Sequence, residues 1–382
     1  MKIRRVRLSP YRLPLVAPLQ TARGRLDARR GWLLELEGDA GAVGRGDACP
    51  FPGQAGDGGF GMESWARCGE GLREWLPSLV GESADSRSAL LDACEASLPD
   101  APGARFAVDC ALAELAALSA SCSVAELLAA EQGRVAQAAV SVSALVTAFE
   151  ADAIRSEARA LRAAGFSTFK LKLGVGSLAD DLLRVQALRE ALGPGPGIRL
   201  DANGAWSREQ ARSIWADLAR LGIELVEQPV GADDIPGLGE LRAAGGVRVG
   251  ADEALARPGG AAQVIASRAA DCLVIKPAAL GGLRPALALA QSAAQAGIDC
   301  FVTHMMDSAF GVAAAAHLAA ALPAGGPDHG LATSGFFAFD LAPPPRIEGG
   351  RLHLADAPGW GLEPDAEAMA RASLGEATEF MA

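Results

Sequence analysis

Five short apolar runs between residues 169 and 277 each carry or end in charged side chains that can do chemistry. These are three amines and three carboxylates: Lys170, Lys172, Asp201, Glu227, Asp252 and Lys276. Carboxylate oxygens suit a hard cation, and a site that keeps positions open for water and substrate favours Mg²⁺ over Ca²⁺. No thiol or imidazole joins the set, which argues against zinc. The residue types therefore predict a magnesium site flanked by lysines.

Lysines beside such a metal can exchange protons with a carbon acid while the metal holds the enediolate that forms. Burial and cationic neighbours lower the pKa of a lysine, so a neutral amine can act as a base near neutral pH. Lys170 and Lys172 are two residues apart and share one face of a strand. We expect Lys172 to be the general base, with Lys170 lowering its pKa and contacting the substrate carboxylate.

The spacing of the runs indicates the fold that would gather them. From Asp201 to Glu227, Asp252 and Lys276 the successive intervals are 26, 25 and 24 residues. Each interval is about one strand, one helix and two loops, the unit of a βα barrel, in which parallel strands bring their closing residues to one mouth. A lone carboxylate after a strand is most often a helix cap, but five such sites favour a functional interpretation. Glu253 should point away from Asp252 or cap the next helix.

The remaining patterns predict an α/β chain with a smaller first domain. Alternating residues at 2–16 and 31–37 predict strands, and helical periodicity covers 61–79 and 86–98. Strand and helix patterns then repeat to about residue 321, and the eighth strand, at 330–333, is weak. Residues 345–354 predict a hairpin that returns to the first domain. We expect a capping domain at 1–104, a barrel at 105–340 and a C-terminal segment at 341–382.

Composition excludes several classes of function. With 35 basic and 46 acidic residues the net charge is −11, and no Lys/Arg cluster appears, so we expect no nucleic-acid or membrane partner. The seven cysteines lack CxxC spacing and predict buried thiols in a reducing compartment. No run of about twenty apolar residues occurs, and a cytoplasmic protein is expected. The glycines at 44–46 and 281–282 lack the spacing of a phosphate-binding loop, which disfavours nucleotide binding.

Five motifs together resemble the enolase superfamily, in its muconate-lactonizing branch. They lie at residues 170–172, 200–206, 226–229, 251–253 and 275–277. The resemblance implies a modified TIM barrel, (β/α)7β, with an N-terminal α+β capping domain completed by the C-terminal tail. It also implies that Mg²⁺, with Mn²⁺ as an alternative, is held by Asp201, Glu227 and Asp252. The implied catalytic residues are Lys172, Lys276 and Lys170.

Segments outside the metal site resemble o-succinylbenzoate synthases of menaquinone biosynthesis. These are residues 30–34, 44–53 and 340–343 with the following hairpin. The resemblance implies dehydration of a cyclohexadiene carboxylate, a small-molecule carboxylate substrate, to o-succinylbenzoate. Asp47 and Asp307 stand where glutamate is expected, and the seventh strand ends in Thr303-His304 rather than in serines. Four alternative functions stay open: an N-succinylamino acid racemase, a dipeptide epimerase, a muconate cycloisomerase-like enzyme and a metal-free binding protein. The oligomeric state also stays open, with a homo-oligomer as one alternative.

Further residues are expected to contact the substrate. Loops of the first domain that carry Thr21, Arg23 and Phe51 are expected to close over the barrel mouth. At the strand ends, Asn203 and Thr303 are further candidates. His304 closes the seventh strand and can be an acid or base. A histidine packed or hydrogen-bonded at the rim is favoured, because the lysines already cover both faces of the substrate.

Overall fold

The first part of the chain forms an antiparallel sheet. The computed structural model describes residues 1–21, 24–51 and 63–382, with side chains for all of these except 19–21, 24 and 334. Strands β1 (Ile3–Thr21), β2 (Gly24–Gly38) and β3 (Val43–Ala48) pair in chain order. The last strand of the chain, β14 (Thr378–Met381), pairs with β1. The C-terminal tail therefore completes the first sheet, as predicted.

Three helices follow; the first and third lie on this sheet, and the second packs against the third. They are α1 (Trp65–Trp75), α2 (Arg87–Ser97) and α3 (Pro102–Ser119), with 3-10 turns at Leu76–Leu79 and Ala84–Ser86. Helix α3 is buried along most of its length and lies directly on β3. The approach is so close that a Cβ at Gly46 would lie 1.8 Å from the carbonyl oxygen of Ala107. A glycine at this position is what allows the helix to reach the sheet.

After α4 (Val124–Ala130), eight parallel strands follow in chain order. They are β4 (Ala139–Val146), β5 (Thr168–Lys172), β6 (Gly197–Asp201), β7 (Leu225–Glu227), β8 (Arg248–Ala251), β9 (Cys272–Ile275), β10 (Asp299–Val302) and β11 (His329–Ala332). Their residues are mostly buried on both faces, as parallel strands covered by helices must be.

Helices separate these strands. They are α5 (Ala151–Ala163), α6 (Leu178–Leu192), α7 (Arg208–Arg220), α8 (Ile235–Ala244), α9 (Gly260–Ser267), α10 (Pro277–Leu280), α11 (Leu283–Gln295) and α12 (Ala309–Ala321). Ser177 and Ser207 start α6 and α7 with capping boxes. In each box the serine hydroxyl accepts a hydrogen bond from a backbone N–H of the helix, and an acidic or amide side chain of the helix accepts one from the serine N–H. Further 3-10 turns lie at Glu253–Ala256 and Ser334–Phe336, and α13 (Ala366–Ala372) lies in the tail.

The parallel sheet runs unbroken from β4 to β10, and β11 pairs with β4. Between β10 and β11 the described residues form one isolated bridge, Thr303 to Gly330, rather than a ladder. The Thr303 hydroxyl donates to the Gly330 carbonyl at 2.8 Å, and the Val302 N–H donates to His329 Nδ1 at 3.0 Å. A 3-10 turn follows β11. The predicted α/β architecture, a barrel-like domain with a capping domain, is confirmed.

The predicted C-terminal hairpin forms, but the prediction that it returns to the first domain is wrong. Its strands, β12 (Arg346–Glu348) and β13 (Arg351–His353), lie against the start of β4, with Leu352 opposite Val140. Both of these residues are fully buried, so the hairpin covers the open start of a barrel strand. The domain limits at residues 104 and 340 stay a prediction.

Two further expectations concern thiols and membranes. All seven cysteines are free thiols, and five of them are buried. Across the described ranges, no helix is long and apolar enough to cross a membrane.

Candidate active site

The residues predicted to do chemistry lie at adjacent strand ends. Lys172 is the register partner of Asp201, and Asp201 is the partner of Glu227. Asp252 directly follows β8, and Lys276 directly follows β9. The carboxylates therefore close β6, β7 and β8, while the lysines close the strands on either side, β5 and β9.

Lys170 lies between two of the carboxylates. Its Nζ is 2.8 Å from Asp201 Oδ2 and 2.8 and 2.7 Å from the two oxygens of Glu227. Burial by itself would lower the pKa of Lys170, but the two carboxylates outweigh it and raise the pKa. In the same way the lysines outweigh burial at Asp201 and lower the pKa of its carboxyl. Lys170 is thus held as an ammonium, bound to carboxylates on the neighbouring strands.

The other two lysines differ in their surroundings. The Lys276 ammonium forms a short ion pair with Asp252 Oδ2. Burial by itself would lower the pKa of Lys276, but the charges of Asp252, Glu227 and Glu253 together raise it. Lys172 lies 3.7 Å from Asp201 Oδ2, and its side chain keeps 34% of its surface exposed. Of the two lysines, Lys172 faces open space and Lys276 is enclosed.

The three carboxylates meet the chemical requirements of a divalent cation site. Asp201, Glu227 and Asp252 are at most 1% exposed. Within the described residues Asp252 Oδ1 is buried and has no hydrogen-bond partner. Burial raises the pKa of Asp252 far above its usual range, and the negative charges of Glu253, Glu227 and Asp201 add to this despite Lys276. A buried oxygen without a donor, amid like charges, is an environment that a bound cation would stabilise.

The amines occupy part of this space. Over residues 1–21, 24–51 and 63–382, no three carboxylate, thiol or imidazole groups stand together as a ready metal cluster. Lys170 bridges Asp201 and Glu227, and Lys276 holds Asp252. The oxygen donors fit Mg²⁺, and a bound cation would compete with these two amines for the same oxygens.

Gln228 is a residue whose role the sequence interpretation missed. Its Oε1 accepts from the N–H groups of Asp252 at 3.0 Å and Ala254 at 3.2 Å, and its Nε2 donates to the Val230 carbonyl at 2.9 Å. Gln228 is fully buried and has a positive φ of 39°. It fixes the segment that carries Asp252. The sequence feature that points to this role is the position of Gln228 directly after Glu227, in a Glu-Gln-Pro motif.

Asn203 and Glu253 form a second support. The Asn203 N–H donates to Asp201 Oδ1 at 3.1 Å, and Asn203 Nδ2 donates to Glu253 Oε1 at 3.1 Å. The expectation that Glu253 points away from the site or caps the next helix is wrong, because its buried carboxylate accepts from Asn203, which also binds Asp201. A substrate contact by Asn203 stays a prediction.

The other predicted substrate contacts are only partly described. Phe51 is half-buried, with the Arg29 guanidinium 4.8 Å from its ring centroid. The Thr303 hydroxyl donates to Gly330, as noted above. Arg23 and the side chain of Thr21 lie outside the described residues. Contacts of all four with a substrate stay predictions.

His304 is hydrogen-bonded on both ring nitrogens. Its Nδ1 accepts from the Asp307 N–H at 3.2 Å, which assigns the proton to Nε2, and Nε2 makes a short hydrogen bond with the Thr333 hydroxyl. Burial, together with the charges of Arg29 and Lys276, lowers the pKa of His304 to about 3. His304 is therefore neutral and joins the ends of β10 and β11.

Asp47 and Asp307, the two departures from glutamate, lie in one buried cluster. Asp47 accepts from the Tyr11 hydroxyl at 2.5 Å and from the N–H and hydroxyl of Ser308 at 2.9 and 2.8 Å. Burial raises the pKa of Asp307 to about 7, and the charge of Asp47 adds to this. Arg29 donates to the carbonyls of Cys49, Pro50 and Met306. The cluster ties the first sheet to the loop after β10.

Two family models match the chain. Residues 3–129 match the N-terminal domain of mandelate racemase and muconate lactonizing enzyme, and residues 153–368 match the enolase C-terminal domain-like family. The second match covers more than half of the chain. The protein belongs to the enolase superfamily. It is accordingly an enzyme of that superfamily, which disfavours a metal-free binding protein.

Three relatives show which reactions occur among its neighbours in the superfamily. L-Ala-D/L-Glu epimerase of Bacillus subtilis is 31% identical over 84% of this chain and 85% of its own length. N-succinyl-L-Arg/Lys racemase of Bacillus cereus is 30% identical over 84% of both. Muconate cycloisomerase 1 of Rhodococcus opacus is 31% identical over 94% of both. Similarity of this kind supports epimerases, racemases and cycloisomerases rather than o-succinylbenzoate synthase in particular.

Solved structures of this superfamily have the same fold. N-succinyl Arg/Lys racemase from Bacillus cereus superposes with a TM-score of 0.90 at 26% identity, over 99% of this chain and 100% of that one. Dipeptide epimerase from Enterococcus faecalis, complexed with Mg and the dipeptide L-Leu-L-Tyr, superposes with a TM-score of 0.86 at 28% identity, over 95% and 99%.

Proposed function

We propose that this enzyme racemises or epimerises an amino acid derivative with a free carboxylate, by exchanging the proton on its α-carbon. The observation that carries the proposal is the order of side chains along the sheet. Lys172 closes β5, the three carboxylates close β6 to β8, and Lys276 closes β9. The sheet curves around one mouth, so the amines that close β5 and β9 can reach opposite faces of a carbon atom held over the carboxylates.

The proton transfer uses one lysine as base and the other as acid. The neutral amine of one lysine takes the α-proton, and the electron pair of the broken C–H bond moves toward the substrate carboxylate. The ammonium of the other lysine then gives a proton to the opposite face of the same carbon, which inverts it. Exchange of both amines with solvent restores the starting charges, and the carbon therefore acquires a solvent proton.

Asp201, Glu227 and Asp252 would hold one Mg²⁺, with Asn203 binding the Asp201 carboxylate and Gln228 fixing the backbone that carries Asp252. When bound, the cation supplies a positive charge that favours loss of a proton beside the substrate carboxylate. Lys170, held as an ammonium, adds a second positive charge at the same place. The Mg-dipeptide complex of the Enterococcus faecalis epimerase supports this cofactor assignment.

The relatives favour this proposal over the dehydration expected from sequence. Two of the three named above invert an amino acid centre, and the third rearranges muconate. A muconate cycloisomerase is the second candidate, because that relative aligns over 94% of both chains. Dehydration to o-succinylbenzoate ranks below both.

A deuterium experiment tests the proposal. The purified enzyme with Mg²⁺ is incubated in D₂O with single enantiomers of N-acylamino acids and dipeptides, and the α-carbon signal is followed by NMR and chiral chromatography. We expect Mg²⁺-dependent loss of the α-proton signal and formation of the deuterated antipode. Consumption of muconate or of the cyclohexadiene carboxylate, without α-exchange in any amino acid derivative, would contradict the proposal.

A further inference from the structure

A cavity of about 440 Å³ opens beside Lys172. It is lined by residues of β1, by the ends of β4 and β5, by helix α6, and by loops that follow β10 and β11. Its volume falls within the range of small-molecule sites. Since Lys172 is the more exposed of the two flanking lysines, this cavity is the space available to the part of a substrate beyond the reacting carbon.

Exposed apolar side chains gather around this cavity. Val16 is 69% exposed, Phe149 is 46% exposed and Val175 is 40% exposed, and all three line it. Phe336 lines it as well. These side chains come from separate elements, so their convergence is a property of the fold rather than of one segment. A contiguous exposed apolar patch in a cleft indicates a ligand that covers it.

The charged groups of the cavity are all positive among the lining residues that the structure describes. They are Lys172 and Arg184, and no aspartate or glutamate accompanies them. The Arg184 guanidinium lies 4.5 Å from the centroid of the Phe149 ring and forms an ion pair of 3.4 Å with Asp181. Asp181 does not line the cavity, and its other oxygen accepts from the Gly174 N–H at 2.8 Å.

A positive charge on the substrate would therefore meet Lys172 and Arg184, and no carboxylate lies among the described lining residues, because Asp181, the partner of Arg184, does not line the cavity. Removing a charge from water without a partner is unfavourable, and facing it with like charges adds to the cost. Apolar groups, in contrast, would release water from Val16, Phe149 and Val175.

We propose that the part of the substrate beyond its reacting carbon lies in this cavity and is apolar and free of positive charge, so that the substrate is an N-acylated amino acid with an apolar side chain. Dipeptides with a free ammonium group and amino acids with cationic side chains are then poor substrates. This inference rests on the proposed racemase or epimerase function and names its substrate class.

A matched panel tests the substrate class. The α-exchange rates in D₂O with Mg²⁺ are compared for N-succinyl-L-leucine, N-acetyl-L-leucine, N-succinyl-L-lysine and L-leucyl-L-leucine. We expect kcat/KM for the two acylated leucines to exceed that for the lysine derivative and the dipeptide by about 100-fold, the size expected of an unpaired like charge.

A variant locates the preference in the cavity. Val175→Asp places a carboxylate on its wall, and we expect it to narrow the ratio between acylated leucine and acylated lysine by about tenfold. Val135→Asp adds the same charge at a residue that is 93% exposed and does not line the cavity, and should leave the ratio unchanged. Equal ratios in both variants would overturn the assignment of this cavity to charge selection.

The outcomes separate the two proposals. If the dipeptide or the lysine derivative exchanges as fast as the acylated leucines, the substrate class is overturned and the racemase or epimerase function stands. If no compound of the panel exchanges, the substrate class is overturned, and the proposed function falls with it only if the wider set of N-acylamino acids and dipeptides also shows no α-exchange.

Discussion

Lysine is rare in this protein, and its placement is specific. The chain has four lysines, of which three are Lys170, Lys172 and Lys276, while arginine supplies almost all other positive charge. An arginine cannot lose its proton near neutral pH, whereas a lysine can. Amines at the strand ends, with guanidinium groups elsewhere, are what a site that transfers protons requires.

The first prediction separates the roles of the two flanking lysines. We expect Lys172→Ala and Lys276→Ala each to lower the racemisation rate by about 10³-fold, since each removes the acid or base on one face. Each variant should still exchange the α-proton of one enantiomer in D₂O, and the two variants should act on opposite enantiomers. NMR of each enantiomer measures this.

The exposed Lys2 provides the matched control, because Lys2→Ala removes a lysine outside the site and should leave the rate unchanged. If both site variants exchange the same enantiomer, the two lysines do not act on opposite faces.

The second prediction concerns Asp252. Its Oδ1 is buried without a hydrogen-bond partner among the described residues, so Asp252→Asn removes a negative oxygen from the predicted Mg²⁺ site. We expect Mg²⁺ affinity, measured by calorimetry, to fall by more than about tenfold. Asp152→Asn changes a fully exposed aspartate and should not alter it. An unchanged affinity in Asp252→Asn would exclude this residue from the metal site.

At the scale of elements, the contact between α3 and β3 sets how the first sheet meets the rest of the molecule. Helix α3 lies against Gly44 and Gly46, and no side chain fits between them. Arg87 and the Arg284 N–H bind Asp109 on the same helix at 2.9 and 2.8 Å. Helix α3 is therefore in contact with the sheet, with α2 and with the start of α11.

The third prediction tests this contact. In Gly46→Ala the new Cβ would lie 1.8 Å from the backbone oxygen of Ala107, so the helix must shift. We expect the free energy of unfolding to fall by about 1–3 kcal/mol, measured by chemical denaturation. Gly195→Ala is the control, because its Cβ would meet nothing within 4 Å. Equal stability of the two variants would show that the close approach is not needed.

At the scale of the whole molecule, Glu114 joins three parts of the chain. It lies on α3 and accepts from the Arg45 N–H of β3 at 2.6 Å and from the Trp360 N–H of the C-terminal segment at 3.2 Å. The Trp360 indole in turn donates to the Arg45 carbonyl at 2.9 Å. Burial raises the pKa of Glu114 to about 8, although both backbone donors act to lower it.

The fourth prediction is a pH dependence of stability. Because the pKa of Glu114 is higher in the folded than in the unfolded chain, the folded protein binds more protons between pH 4.5 and about 8. Stability must then fall as pH rises through this range, by up to about 1.4 kcal/mol per pH unit from this group. Glu114→Gln should remove that part of the slope, measured by denaturation at several pH values. The exposed Glu74→Gln should keep it, and an unchanged slope in Glu114→Gln would contradict the assignment.

Sequence alone determined the fold and the positions of the reactive groups. An interval of 24 to 26 residues between charged strand ends is a local property, since strand and helix lengths set it. Parallel pairing of the strands then brings those ends together, independently of the conformation of the loops. The return of the tail to the first sheet, where β14 pairs with β1, was expected from the family resemblance and not from the spacing.

Tertiary structure decided what each reactive group touches. The binding of Lys170 to Asp201 and Glu227, the inward position of Glu253 and the pairing of the hairpin with β4 all depend on contacts between residues far apart in the chain. The cavity beside Lys172 is assembled from six separate segments, and only the one that contains Lys172 carries a motif that the sequence analysis recognised. Substrate choice depends on such assembled surfaces, because side chains from several loops together set the shape and charge that a ligand meets.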